Sequence, residues 1–255
     1  MILNPHADAP GRGSAECVPA WQAIESRQRL AASRWWLVAQ PDHAALAGDL
    51  ARGMDSSLIP ALDGDVIRAI SLHDEGWREF DSDGPRVENR RPLSFLEIPP
   101  PDFLQAWRAS IERAEEVAAV GGILVSEHFC RLGRAALERD LQTGDRELVE
   151  RFLEEEHHRQ DLLRSCQART PEEISALVNL LQFCDLLSLY LCSGARDTIV
   201  FPQQFRGTQI RLGFTGELCR TDPPLFGDGL SLAVRARRYP KGADDCDASL
   251  PFLLA

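Results

Sequence analysis

Lysine is almost absent from this sequence. Lys241 is the only lysine among 28 basic residues, so nearly every positive charge is an arginine, as in proteins from GC-rich genomes. The net charge at pH 7 is −11, whereas DNA and RNA binding depends on clustered basic residues that neutralise phosphates. The composition argues against nucleic acid as the main partner. It also predicts that any side-chain cation in contact with a phosphate is an arginine.

Paired cysteines and an N-terminal apolar run are also lacking. The seven cysteines are odd in number and form no C-x-x-C pair, and several lie in apolar helical stretches. This usage is typical of reduced cysteines in a reducing compartment. Residues 1–29 are polar and carry glycine and proline, unlike a signal peptide. We therefore expect a cytoplasmic protein.

One segment, residues 174–192, is apolar enough to require a test against a membrane span. It carries Asn179, Gln182 and Asp185 near its middle, and a carboxylate in the centre of a bilayer is costly. The segment therefore predicts a buried central helix, with no membrane partner.

Helical periodicity dominates the middle of the chain, and the predicted fold class is mainly α. Residues 34–40 (RWWLVAQ) favour a short strand, and after residue 198 short alternating runs favour a small antiparallel sheet that could pair with it. A proline-rich loop is expected at 81–101, and Gly121-Gly122 are expected to interrupt a helix.

The predicted divisions are a partly ordered lead-in at 1–30, a helical domain at 31–197 and a β-rich C-terminal extension at 198–255, packed on the same domain. One expected helix begins at residue 40. The others cover 65–77, 102–120, 123–139, 145–166 and, after a Thr170 capping box, 171–193.

Three segments carry the candidate metal ligands. Asp185 is the only charged residue between Glu173 and Arg196, and an unpaired buried carboxylate needs a compensating partner. His43 lies on the inner face of its predicted helix. His73 and Asp74 are adjacent, so on a regular helix their side chains would diverge by about 100°. The combination of these four residues indicates a shared site.

The order of His43, His73-Asp74 and Asp185 resembles the HD-domain superfamily of metal-dependent phosphohydrolases. The resemblance implies an HD-domain-like helical bundle in which these four residues bind a divalent metal ion and a phosphoester is hydrolysed. No GYP sequence follows His157-His158, unlike in the HD-GYP subgroup.

A closer resemblance covers almost the whole chain. The blocks AQPDHAALAGDLA, HDEGW, LVSEHFCRL, LLQFCDLLSLYLC and PPLFGDGLSLAV are similar to those of a bacterial family of unknown function with an HDxGW motif. That family implies no activity. Its blocks mark for testing His43, His73, Asp74, Trp77, His128 and Asp185.

Other polar residues have two interpretations each. His128 is either a further ligand or catalytic group, or a polar residue at a helix interface. His157 and His158 are expected to face solvent, whereas Glu156 falls on the apolar side of the same helix and is the better supporting residue. Trp77 could cover the site or stack on a substrate, although core packing is the simpler interpretation.

Arginines near these blocks could hold a phosphate, and we single out Arg131 beside Arg78 and Arg134. No Gly-rich phosphate loop, G-x-S-x-G or Cys–His nucleophile pattern is present.

The leading hypothesis is a metal-dependent hydrolase of a small-molecule phosphoester such as a nucleotide. His and carboxylate ligands suit Mn, Fe, Zn, Ni or Co, and Asp74 and His128 are the expected catalytic residues. Three alternatives remain open. One is an inactive ligand-binding or regulatory module, another is a structural cluster in which Asp185 pairs with an arginine or His43, and the third is oxygen chemistry at the same site.

Overall fold

The computed structural model describes residues 1–5, 17–138, 141–227, 229–241 and 247–255. Two short 3-10 turns lie at Glu75–Trp77 and Phe95–Glu97. The helices of the described residues are α1 (Ala20–Gln28), α2 (Gln40–Gly53), α3 (Gly64–Leu72), α4 (Arg78–Ser82), α5 (Pro100–Glu115), α6 (Ala119–Leu137), α7 (Thr143–Arg164) and α8 (Pro171–Ser193). The strands are β1 (Ile2–Pro5), β2 (Val18–Pro19), β3 (Trp35–Val38), β4 (Val87–Glu88), β5 (Arg91–Pro92), β6 (Ile199–Phe205), β7 (Thr208–Thr215), β8 (Leu218–Asp222), β9 (Leu230–Tyr239) and β10 (Ala248–Leu254).

The prediction of a mainly α, HD-domain-like helical bundle is wrong. Eight strands form one curled mixed sheet in the order β1-β3-β9-β10-β8-β7-β6-β2, in which β10–β8 and β2–β6 are parallel pairs. About 52% of the described residues are helical and 22% are in strands. The protein therefore has an α/β fold, and the sheet is neither small nor purely antiparallel.

The sheet was underestimated because its strands give weak local signals. β6 and β10 contain Pro202 and Pro251, and a proline within an apolar run normally argues against a strand. β1 and β2 come from the first 19 residues, where no alternating pattern stands out. The predicted pairing of the Trp35 strand with the C-terminal region is nevertheless confirmed, because β3 pairs antiparallel with β9.

α8 is the central helix of the core. It begins with the predicted capping box, in which Thr170 accepts from the Glu173 N–H, and it ends at Gly194 in the left-handed conformation. By length and composition it is the one helix of the described residues that could cross a membrane, but 78% of its most apolar window is buried inside the protein. α8 packs against α1, α2 and α6, as a core helix does.

The break predicted at Gly121-Gly122 is also misplaced, because both glycines lie inside α6. The chain turns instead between α5 and α6, at residues 116–118. A Cβ on Gly121 would lie 2.5 Å from the carbonyl oxygen of Ala114. This glycine therefore permits close packing of α6 on α5.

Candidate metal centre

Three buried histidine rings from separate helical segments form a row. His43 lies on α2, His73 directly follows α3 and His128 lies on α6. Neighbouring ring centroids are 5.1 and 5.4 Å apart with edge-to-face geometry. Asp74 and Asp185 approach the same row, so the fold brings together the four predicted ligands and His128.

His73 and Asp74 converge because α3 ends at Leu72. The backbone then enters the 3-10 turn at Glu75–Trp77, rather than continuing as the predicted helix to residue 77. This change of direction brings Asp74 Oδ2 to 3.9 Å from His73 Nε2. The turn therefore lets the two adjacent side chains face one point, although on a regular helix they would diverge by about 100°.

Gly76 holds this turn against α5. Its N–H donates to Ser110 Oγ at 2.9 Å. A Cβ at this position would lie 2.1 Å from the carbonyl oxygen of Ala106, which is far inside van der Waals contact. The glycine of the HDEGW segment is therefore required sterically, and it fixes the position of the preceding His-Asp pair.

The hydrogen bonds of His43 place a proton on Nδ1 and leave a lone pair on Nε2. Ser188 Oγ donates its hydrogen to the carbonyl oxygen of Asp185 at 2.8 Å. Because a hydroxyl has one hydrogen, Ser188 accepts from His43 Nδ1, which lies 2.9 Å away. His43 Nε2 then faces Asp74 Oδ2 at 2.8 Å. A lone pair and a carboxylate at this distance require a cation between them.

The same arrangement is repeated at His73. Its Nδ1–H donates to the carbonyl oxygen of Ile70 at 2.8 Å, and its Nε2 lies 3.3 Å from Asp185 Oδ1. Outer hydrogen bonds of this type fix the orientation of histidines that bind metals. In both rings Nε2 therefore faces a carboxylate, with either a proton or a metal ion as the bridging cation.

The pKa shifts of the metal-free site show how strongly it favours a cation. Burial disfavours the charged form of His73, but Asp185 and Asp74 outweigh this effect and raise the His73 pKa to about 9. Burial opposes ionisation of Asp185 as well, yet its hydrogen bond to His73 lowers the Asp185 pKa to about 2. For His128 burial prevails and lowers its pKa to about 4, so that ring is uncharged at neutral pH.

The donor set fits a divalent transition-metal ion. One donor atom from each of His43, His73 and Asp185 lies within 4.8 Å of the others. Ligands at roughly 2.0–2.2 Å from an ion are at most about 4.4 Å apart, and the closest nitrogen–oxygen distances that Asp185 Oδ1 makes, 3.3 Å to His73 and 4.0 Å to His43, lie within that limit. Asp74 would add a second carboxylate. Among the described residues Asp185 pairs with His73, so this pair is a buried ion pair when a proton bridges it and a pair of ligands when a metal ion does.

A cavity of about 370 Å³ opens beside the cluster and is lined by Asp74, His128 and Asp185. Its remaining lining is mainly aromatic and aliphatic. Gln40 Oε1, Trp77 Nε1 and His128 Nδ1 belong to lining residues and are buried without a hydrogen-bond partner among the described residues. Buried polar groups are normally satisfied, so these atoms indicate a binding pocket for a small molecule.

The other candidate residues take different positions. Trp77 lines the cavity and packs on Phe80. Arg131 donates to Gln182 and Glu127, outside the cavity lining. Glu156 is buried, as predicted, but its contacts are with Arg159 and Ser126. His157 and His158 are exposed, as predicted.

Sequence reasoning missed two sets of residues at the candidate site. Ser188 orients His43, and its position three residues after Asp185 on α8 was the available signal, because residues at that spacing share a helix face. Gln40 precedes His43 by the same spacing. The aromatic wall gave no comparable signal, since it is assembled from α1, a 3-10 turn, α5 and α6; it includes Trp21, Phe95, Phe103, Trp107 and Phe129.

Comparison with known proteins identifies a family without an activity. Neither the curated proteins nor the solved structures contain a match to this chain. The family model described as "Protein of unknown function (DUF3891)" matches residues 28–243, which is most of the sequence and includes every residue of the candidate centre. The expected membership of a family of unknown function is thus confirmed, and the chain belongs to the DUF3891 family.

Proposed function

We propose that this protein is a metal-dependent hydrolase of a small phosphoester. His43, His73, Asp74 and Asp185 would hold one divalent ion, with Mn, Fe, Zn, Ni and Co as the metals that this donor set suits. When bound, such an ion acts as a Lewis acid that acidifies water and polarises a phosphoryl group. The observation that carries the proposal is the pair of imidazole Nε2 atoms facing carboxylates beside a cavity.

The ligand order supports a relationship to the HD-domain phosphohydrolases at the level of the site. A histidine, a His-Asp pair and a distant aspartate come from successive segments, with His43 Nε2 2.8 Å from Asp74 Oδ2 and His73 Nε2 3.3 Å from Asp185 Oδ1. The proposed relationship concerns these ligands and not the overall architecture, because a fold with an eight-stranded sheet is not a helical bundle.

The residues of the chain have separate roles in this proposal. Ser188 and the Ile70 carbonyl hold the two rings so that each Nε2 faces the centre. Asp74 contributes charge and can orient a water molecule. His128 lies 3.9 Å from Asp185 Oδ2 and lines the cavity, where a neutral imidazole can exchange a hydrogen bond with substrate or water. The apolar wall limits the access of bulk water.

Metal analysis beside His73→Ala is the direct test. Protein purified without chelator or nickel affinity resin should contain close to one ion per chain. His73→Ala should lose both the ion and phosphoester hydrolysis while remaining folded by circular dichroism. His157→Ala, which changes an exposed histidine outside the centre, is the matched control and should keep both. Full activity in folded His73→Ala would refute the proposal.

The alternative of a catalytically inactive binding or regulatory module has one specific observation in its favour. The described residues that line the cavity include no arginine or lysine to stabilise charge on a transferred phosphoryl group. In that case isothermal titration should detect tight ligand binding to the metal-loaded protein, with no product formed over prolonged incubation. Turnover that depends on the ion would exclude this alternative.

A further inference from the structure

The cavity beside the metal centre has a wall without positive charge. Its lining side chains are aromatic or aliphatic apart from those of Gln40, Asp74, His128 and Asp185. Across the described parts of the chain, no arginine or lysine contributes to this lining. A binding pocket for phosphate dianions or polyphosphates normally supplies such cations.

The arginines close to the motif blocks are engaged elsewhere. Arg131 donates to Gln182 at 2.9 Å and to Glu127 at 3.2 Å, and Arg134 lies 3.5 Å from the same Glu127 carboxylate. Arg78 donates to Glu75 at 2.8 Å. Moving one of these guanidinium groups into the cavity would therefore break an existing ion pair.

The metal centre itself supplies no net positive charge in the proposed function. The two charges of a divalent ion are offset by the carboxylates of Asp74 and Asp185. A phosphomonoester dianion would then be enclosed in an apolar pocket with an uncompensated charge, which is strongly unfavourable. A ligand with one negative charge or none avoids most of this cost.

The wall also favours a flat aromatic group. Phe103 and Phe129 pack against Trp107 with ring centroids 4.5 and 4.8 Å away, and all three residues line the cavity. Such surfaces bind aromatic ligands by offset or edge-to-face packing. Trp77 lines the cavity as well, and its Nε1 is buried without a hydrogen-bond partner among the described residues.

We propose that the pocket selects aryl phosphodiesters over phosphomonoesters and nucleoside polyphosphates. This inference rests on the proposed function and names its substrate class. Hydrolysis of the diester breaks the P–O bond to the aryl oxygen, whose electron pair leaves with the aryloxide, and forms a P–O bond to the water oxygen. One water proton is taken up by the aryloxide or, where the aryloxide is stable as an anion, by solvent, and the other is released as the monoester product ionises. That product is a dianion, which the same pocket binds poorly, so the selectivity also favours product release.

Two probes with the same ring test the inference by binding as well as by turnover. Methyl 4-nitrophenyl phosphate is a monoanion and 4-nitrophenyl phosphate a dianion at pH 8, and ATP serves as a third probe. Quenching of tryptophan fluorescence in the Mn²⁺-loaded protein gives each Kd, because Trp21, Trp77 and Trp107 line the cavity. We expect the diester to bind about tenfold or more tightly than either competitor. Release of nitrophenolate measures turnover separately.

A positive charge introduced at the wall should reduce this preference. Leu132 lines the cavity and is 37% exposed, so Leu132→Arg can be accommodated. It should strengthen binding of the monoester by about tenfold. Leu162→Arg on α7, where leucine is 59% exposed outside the lining, is the matched control and should change neither Kd.

The outcomes separate the inference from the function on which it rests. Tighter binding or faster turnover of the monoester or ATP in the unaltered protein would overturn the diester inference and leave metal-dependent hydrolysis intact. Equal quenching by all probes, unaffected by Leu132→Arg, would also overturn it. Selective binding of the diester without nitrophenolate release, with any of the candidate metals, would instead overturn the proposed hydrolase.

Discussion

Asp185 and Glu156 are both buried beside α6, yet their surroundings differ in kind. Asp185 faces His73 and His128 at the cavity, and its partners lower its pKa to about 2. Glu156 lies among Ser126, Gln160 and Arg159, and burial raises its pKa. A buried carboxylate is therefore not evidence of a site by itself. The imidazole nitrogens that face Asp185, and the cavity next to it, make the difference.

The largest effect is expected when Asp185 is neutralised. Asp185→Asn removes one of the two carboxylates that compensate a divalent ion, while the size of the side chain is preserved. Metal affinity should fall by more than the roughly 100-fold that is typical for losing an outer hydrogen-bond partner. Elemental analysis after dialysis against a graded series of metal buffers measures this change. Stoichiometric metal in the variant would contradict the assignment of Asp185 as a ligand.

Protons should compete with the ion at His73. The metal-free pKa is about 9, so at pH 7 the incoming ion has to displace one proton from the ring. Apparent metal affinity should rise at least about tenfold per pH unit between pH 6 and 8, and the contribution of His73 should level off near pH 9. Titration calorimetry in buffers of different ionisation enthalpy should record at least one proton released per ion, which is the proton of His73. An affinity independent of pH would rule out this exchange.

The raised pKa of His73 has the opposite effect on the stability of the metal-free protein, which should fall as pH rises. The pKa of His73 is raised from 6.5 on folding, so its stabilising contribution is complete below pH 6.5 and is lost as pH rises through about 9. Asp185, whose pKa is lowered from 3.8 to about 2, contributes above pH 3.8 and loses its effect as pH falls through 2. Denaturant unfolding of the metal-free protein should thus give falling stability from pH 6.5 to 9.

The candidate ligands could be selected from the sequence because each carried a local signal. Asp185 is a lone charge on an apolar helix, and His73-Asp74 is an adjacent pair of metal-binding residue types. Most helices could be predicted in the same way, since helical periodicity and the Thr170 capping box can each be recognised within a single segment of the sequence. The sheet was not accessible in this way, because β1, β2, β6 and β10 become strands only through pairing with distant segments.

The cavity shows the same limit at the level of the site. Its aromatic wall combines Trp21 from α1, Phe95 from a 3-10 turn and Trp107 from α5, and no spacing in the sequence connects them. The position of the His-Asp pair was also misjudged locally. A helix was expected to continue through residue 77, whereas Gly76 and its contact with α5 favour a turn.

In the comparison of Asp185 with Glu156, Gly76 supports the surroundings of Asp185, because it holds the turn that directs His73 and Asp74 toward the candidate metal centre. Gly76→Ala places a methyl group against the Ala106 carbonyl, and overpacking of this kind typically costs about 1–3 kcal/mol. We expect a decrease of that size in the free energy of unfolding, measured with denaturant, and weaker metal binding. Gly64→Ala is the control, because nothing lies within 4 Å of the added Cβ. Equal stability of the two variants would show that the turn can relax.

The smallest effect is expected at Glu156, which is the other side of the comparison. Glu156→Gln keeps the shape of the side chain and removes a charge whose pKa burial raises, so the ionised form contributes little stability at pH 7 to be lost. The ion pair with the partly exposed Arg159 is worth at most about 1 kcal/mol. Melting temperature and metal content should therefore stay close to those of the unaltered protein. If Glu156→Gln lost metal as Asp185→Asn does, Glu156 would be acting on the centre through α6, and the two carboxylates would belong to one site.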